Sequence, residues 1–227
     1  MKKFVRAFVI IGLSALLCCT LAACGSSSAS SKSVDPNTVT TKASGKYATG
    51  THHAVVKVEG FDPFTIELYA DSAPVTVANF CSLAEDGYYN GLKFYRIVEG
   101  FCLQGGTKGN SASGNDPALP PIIGEFYEND VDNSFADEFR RGTVAMARTG
   151  VYNSAKTTFF ITLATSENVS LSLDGQYAAF GMIDDADMQT VDAIVNAYLK
   201  YATGQGGAIN NPDNMNMPTI EYITIED

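Results

Sequence analysis

The chain has 227 residues, 45% of them hydrophobic, and a formal charge of −10 at neutral pH. That acidic balance excludes the basic surface on which nucleic-acid binding depends. The only histidines are His52 and His53, read as the exposed start of a strand; with no cysteine cluster beside them, no metal-ligand pattern exists.

The first segment is a processing signal rather than part of a fold. Lys2, Lys3 and Arg6 precede an apolar run from about Ala7 to Ala23, a secretory pattern too short and wrongly flanked for a membrane span. Leu21-Ala22-Ala23-Cys24 resembles the bacterial lipobox. The resemblance implies a mature chain that starts at Cys24 and carries at least a diacylglyceryl group, which anchors stably where one acyl chain is marginal. Plain secretion with a chance cysteine is the competing reading. Cleavage there leaves 12 basic against 25 acidic side chains, a charge of −13, so an anionic lipid surface repels the protein and the anchor alone must hold it. Cys18 and Cys19 leave with the signal, and Cys81 and Cys102 remain in the mature fold. An extracytoplasmic pair is able to form a disulfide, although nothing in the spacing requires one.

Residues 25–45 contain ten Ser or Thr and no apolar periodicity. Residues 24–46 therefore read as a flexible tether from Cys24, spanning roughly 25 Å as a random coil. Residues 47–227 read as one globular domain. "HAVVKV" and "TIELYA" are short and β-branched, with "EGFDPF" as the turn between them, and predict a hairpin. "TVAMA", "TTFFITL", "YAAFGMI" and "TIEYITI" have the same strand character. Two helices are predicted. One spans about 74–86, capped by Asp71 or Ser72 and opened by Pro74; the other spans about 186–202, with Met188, Val191, Ile194, Val195 and Tyr198 on one face. Many strands and two helices predict a mainly β fold, a closed antiparallel β-barrel capped by two α-helices. The loop 107–121 is rich in Gly, Asn and Pro, and loops of that length are usually functional or mobile.

Within "KFYRIVEGFCLQGG", Arg96 sits among the core-type residues Phe94, Tyr95, Ile97, Val98, Phe101 and Leu103. A cation there needs either a buried acid or a groove to point into. The blocks "FYRIVEGFCLQGG", "GEFYENDVDNSF", "RGTVAMART", "NSAKTTFFITL" and "SLDGQYAAFG" follow one another in order. Together they resemble the cyclophilins, peptidyl-prolyl cis-trans isomerases, in their bacterial form, across residues 52–226. The resemblance implies an eight-stranded antiparallel barrel and an isomerase that needs no cofactor. Its partners would be extended or unfolded polypeptides with X-Pro bonds, the chain would be a monomer, and no nucleic acid would be involved. With the lipobox it implies an extracytoplasmic, lipid-anchored folding enzyme.

Residue by residue, Arg96 matches the family's catalytic arginine, and Gln104 matches a groove residue that contacts substrate and orients that arginine. Phe101, Cys102, Phe160 and Leu173 match the proline pocket. Ala147 and Arg148 lie on the strand along which substrate backbone binds, and Thr158 and Tyr177 border the groove. Phe159 is assigned to the opposite side of the sheet by strand alternation. Several positions depart from the family pattern. Cys102 stands where methionine is usual, Thr158 where glutamine is common, and Arg148 where eukaryotic members carry asparagine. Ser172 stands where tryptophan or phenylalanine is common, and the chain has no tryptophan. The smaller pocket keeps a second class of function open, a proline-segment binding chaperone or scaffold with little turnover. A transporter's substrate-binding lipoprotein is a third reading, disfavoured because a single barrel lacks two lobes.

The cyclic inhibitor cyclosporin leans on the aromatic that Ser172 replaces. Weak inhibition is therefore expected in an isomerase assay, and full inhibition at nanomolar drug would contradict this pocket assignment.

Overall fold

A computed structural model describes residues 38–111, 116–137, 139–164, 172–202 and 216–227. Cys24, the signal segment and part of the 107–121 loop lie outside these residues.

β1 (Thr51–Val58) and β2 (Phe64–Tyr69) form the expected antiparallel hairpin. Alternate side chains of β1, from Ala54 through Val56 to Val58, are fully buried, as a half-solvated strand requires. The same alternation turns His53 outward and His52 inward. His52 is thus buried rather than exposed, with its ring nitrogens 3.0 Å from Asp227 Oδ1 and 2.9 Å from the Thr49 carbonyl.

α1 (Pro74–Glu85) starts at Pro74 as expected, but neither Asp71 nor Ser72 caps it. Asp71 instead accepts a hydrogen bond from the Gly50 amide. The free amides of the first turn go to a distant carboxylate. Glu125 Oε1 accepts from Val75 N at 3.0 Å, and Oε2 accepts from Thr76 N at 2.8 Å and Thr76 Oγ1 at 2.6 Å. A negative charge also suits the positive end of the helix dipole. α2 (Met188–Tyr198) buries Met188, Val191, Ile194 and Val195, as its periodicity predicts. It is shorter than expected because the chain tightens into a 3₁₀ turn at Leu199–Tyr201.

The other strands are β3 (Arg96–Val98), β4 (Cys102–Gly105), β5 (Thr143–Met146), β6 (Phe159–Thr162), β7 (Ala179–Met182) and β8 (Ile220–Glu226). All eight join one antiparallel sheet in the order β3-β4-β6-β5-β7-β2-β1-β8. The sheet is an open half-barrel, which corrects the expected closed barrel. Its two edges approach one another at residues 91–94 and 218–220: Lys93 bridges Thr219, Phe94 N donates to Pro218 O at 3.0 Å, Gly91 N donates to Ile220 O at 2.8 Å and Ile220 N donates to Leu92 O at 2.8 Å. Pro218 has no N–H with which to extend that ladder, and β3 is only three residues long.

The main core lies on the face of the sheet that meets the helices. There Phe159 meets Phe80, Tyr89 and Phe94 edge-on, with ring centroids 5.5–5.8 Å apart. Cys81 on α1 and Cys102 on β4 are both buried and free, so they form no disulfide. Thr40, from the stretch read as tether, pairs with Ile122; Thr40 N donates to Pro121 O at 2.8 Å.

Removing the Glu125 carboxylate leaves two helix amides without their partner. Glu125→Ala is expected to cost about 1–3 kcal/mol, read as a lower urea midpoint at unchanged slope. Burial pushes the Glu125 carboxyl above its ordinary value, against the pull of its three donors. Stability from such a group is full below the unfolded-state value and declines as pH rises through the raised one. The gap between wild type and variant is therefore wider in acid than near neutrality.

Candidate active site

The site is built on the sheet face opposite the aromatic core. In the β3–β4 ladder Arg96 stands across from Gln104 and Val98 across from Cys102; in the β4–β6 ladder Gln104 stands across from Phe160 and Cys102 across from Thr162. Cross-strand partners share a face. Arg96, Cys102, Gln104 and Phe160 are therefore gathered on one side while Phe159 faces the other, as alternation predicts. β6 is buried along its whole length because both of its faces are covered.

The half-buried Arg96 donates from Nη1 to Gln104 Oε1 at 3.1 Å, and the same nitrogen lies 3.5 Å from Cys102 Sγ. Its guanidinium carbon sits 5.4 Å from the centre of the Phe101 ring. No acid pairs with it among the described contacts, which favours the groove over a buried ion pair. Gln104 Nε2 donates to the phenol oxygen of Tyr95 at 2.5 Å. Gln104 is thus engaged by side chains rather than capping the turn at Gly105-Gly106. Gly105 lets the chains approach closely: a Cβ there would lie 2.6 Å from Lys93 O and 2.8 Å from Phe94 Cα.

Cys102 is 1% exposed, and burial pushes its thiol up to about 11 despite the neighbouring guanidinium. It behaves as a small packed side chain rather than a nucleophile.

A second group adjoins through Phe160. Its ring stacks on Phe139 at 6.3 Å and meets the edge of Tyr177 at 5.6 Å. Arg148 lies over Tyr177, Tyr152 and Phe126, 4.7–5.2 Å from their centres, and donates to Gln176 O and Thr149 O. Its charge is spent on holding these rings in place. Ala147 N donates to Thr158 O at 2.9 Å. Leu173 is buried and accepts from Gln176 N at the turn that leads to Tyr177.

The residues expected from sequence thus fall into two adjoining groups, one around Arg96 and one around Phe160. Sequence reasoning placed Tyr95 in the core and gave Phe139 no role. The available signal for Tyr95 was chemical, since a buried tyrosine needs a partner for its hydroxyl. An open depression of about 540 Å3 over Tyr127, Glu128, Asp130, Val131 and Asp132 contains none of the expected site residues.

The family model described as cyclophilin type peptidyl-prolyl cis-trans isomerase matches residues 53–219. The chain belongs to the cyclophilin-type peptidyl-prolyl cis-trans isomerases. It is 38% identical over 162 residues to a probable peptidyl-prolyl cis-trans isomerase of Brucella suis, covering 70% of this chain and 78% of that protein. It is 36% identical over 132 residues to a peptidyl-prolyl cis-trans isomerase of Acinetobacter baylyi, covering 58% of this chain and 65% of that one. Among solved structures, a Cryptosporidium parvum cyclophilin type isomerase superposes with a TM-score of 0.63 at 22% identity, over 78% of this chain and 99% of that one. A second structure of that protein, in the presence of the dipeptide Ala-Pro, gives 0.61 at 22% identity over 77% and 99%. The protein is therefore a cyclophilin-type enzyme, and its fold is that of the family with the barrel left open.

Proposed function

We propose that this isomerase is held outside the cytoplasmic membrane by acylated Cys24 and accelerates rotation about X-Pro bonds in exported polypeptides, with Arg96 as its catalytic group. The observation that carries the catalytic assignment is the half-buried guanidinium, held by Gln104 above Phe101 on the same sheet face as Phe160.

An X-Pro bond resists rotation by about 20 kcal/mol although its two isomers differ by only about 0.5–1 kcal/mol. No nucleophile, base or cofactor is required. As the bond twists, the nitrogen loses amide resonance and gains a usable lone pair. A guanidinium aimed at that nitrogen stabilises the twisted state more than either planar one. Arginine suits the task because it stays charged and its donors form a rigid fork.

One hydrogen bond to a charged group contributes about 1.5–3 kcal/mol, whereas a 10⁵-fold acceleration needs about 7 kcal/mol. The remainder is assigned to the apolar surface of Phe101, Cys102, Phe160 and Leu173, which grips the proline ring while backbone along Ala147 holds the chain. X-Pro segments as ligands are in keeping with the dipeptide in whose presence a relative of the same fold was crystallised.

Two measurements test the reading. Cis-trans exchange in an Ala-Pro-Phe-type peptide, followed by NMR with protein lacking the residues before Gly25, is expected to be fast with wild type. Arg96→Ala should slow it by about 10–100-fold. Equal, negligible rates in both would instead support a binding module. For the anchor, full-length protein should fractionate with membranes and incorporate labelled fatty acid, and Cys24→Ala should do neither. Membrane association independent of Cys24 would refute lipidation.

A further inference from the structure

Tyr95 is 2% exposed and packs with Met217, Tyr201 and Ala202 in a small cluster separate from the main core. Its hydroxyl reaches back towards the site, where Gln104 Nε2 lies 2.5 Å away. A guanidinium only donates, so Gln104 must present its carbonyl to Arg96, at 3.1 Å. The amide nitrogen then faces away and donates, and the phenol oxygen must accept. Thr158 is the other side-chain partner of this hydroxyl. Every hydrogen in the chain from Arg96 through Gln104 to Tyr95 points away from the guanidinium, an arrangement in which each bond strengthens the next. Burial keeps the phenol above its ordinary value, so it stays protonated, able to accept and donate together.

We propose that Tyr95 is a positioning residue of this isomerase: its phenol fixes the amide orientation of Gln104, which in turn holds the Arg96 guanidinium in the groove. Without the phenol, the Gln104 amide nitrogen has no buried acceptor and the amide is free to turn its N–H groups towards the cation, where they repel. The proposal rests on Arg96 being the catalytic group. Both ends of the Gln104 amide are engaged by Arg96 and Tyr95, so Tyr95 should act on turnover far more than on substrate binding.

The test measures kcat/KM for an Ala-Pro-Phe-type peptide and, separately, the peptide's Kd by NMR titration. Tyr95→Phe is expected to lower kcat/KM by about tenfold and to change Kd by no more than about twofold. Tyr89→Phe is the control for loss of a buried hydroxyl: Tyr89 is fully buried, donates to Thr157 O at 3.3 Å and lies in the main core, so its variant should keep the wild-type rate. Once Gln104→Ala is in place, adding Tyr95→Phe should cost nothing more, because the two act as one unit. Should Tyr95→Phe fold poorly, Tyr95→His keeps a ring with an acceptor nitrogen and should retain a rate above that of Gln104→Ala. An unchanged rate in Tyr95→Phe, a rate loss matched by an equal loss of binding, or additive losses in the double variant would each overturn the proposal. Arg96→Ala separates the two readings: a retained rate there defeats the catalytic assignment itself, whereas a lost rate with an active Tyr95→Phe defeats this inference alone.

Discussion

The site depends on keeping one cation pointed while leaving it available. A guanidinium in open water is free to turn, and one locked by a buried carboxylate is spent on its partner. Arg96 is held between these limits. Among the described contacts only Nη1 meets a polar partner, the neutral Gln104 carbonyl, with the softer Cys102 sulfur close by and an aromatic face beneath. A neutral partner orients the charge without cancelling it. The remaining donors of the fork are then at hand for a ligand in the groove.

The sheet supplies the rest by being two-sided. β4, β5 and β6 turn one face to the aromatic core around Phe80, Tyr89 and Phe159 and the other to the site. The core face fixes the strands closely, so cross-strand neighbours on the other face inherit that precision. Interiors packed to crystalline density transmit position in this way. Gly105 serves the same end, because close passage of residues 93–94 sets the height of β3, and so of Arg96, over β4.

Much of this was legible from residue patterns. β-branched runs marked the hairpin and four further strands, the 3.6-residue period marked α2, and alternation across Phe159 and Phe160 separated core from groove. The misses share a physical cause: each turns on a contact distant in sequence. The α1 cap is Glu125, fifty positions from Val75, and no local rule reads a carboxylate at that range. Barrel closure turns on how far two distant edges pair, and here the pairing stops at residues 91–94 and 218–220, beside Pro218 and short of the three-residue β3. Tyr95 read as core because its ring is core; only its hydroxyl belongs to the site.

Arg96 and Arg148 differ most clearly, since the sequence presents both as arginines in strand-like blocks. Arg148 is clasped by Phe126, Tyr152 and Tyr177 and gives its Nε and Nη1 hydrogens to backbone carbonyls. With so much of its hydrogen-bonding capacity turned inward, its effect on the groove passes through Tyr177, whose ring edge meets Phe160. Arg96 has the opposite pattern, with one engaged nitrogen and an otherwise uncommitted fork. The same side chain thus serves as a fixed post in one group and an aimed charge in the other. What separates them is the number of acceptors each can reach, a property of the folded sheet rather than of either residue.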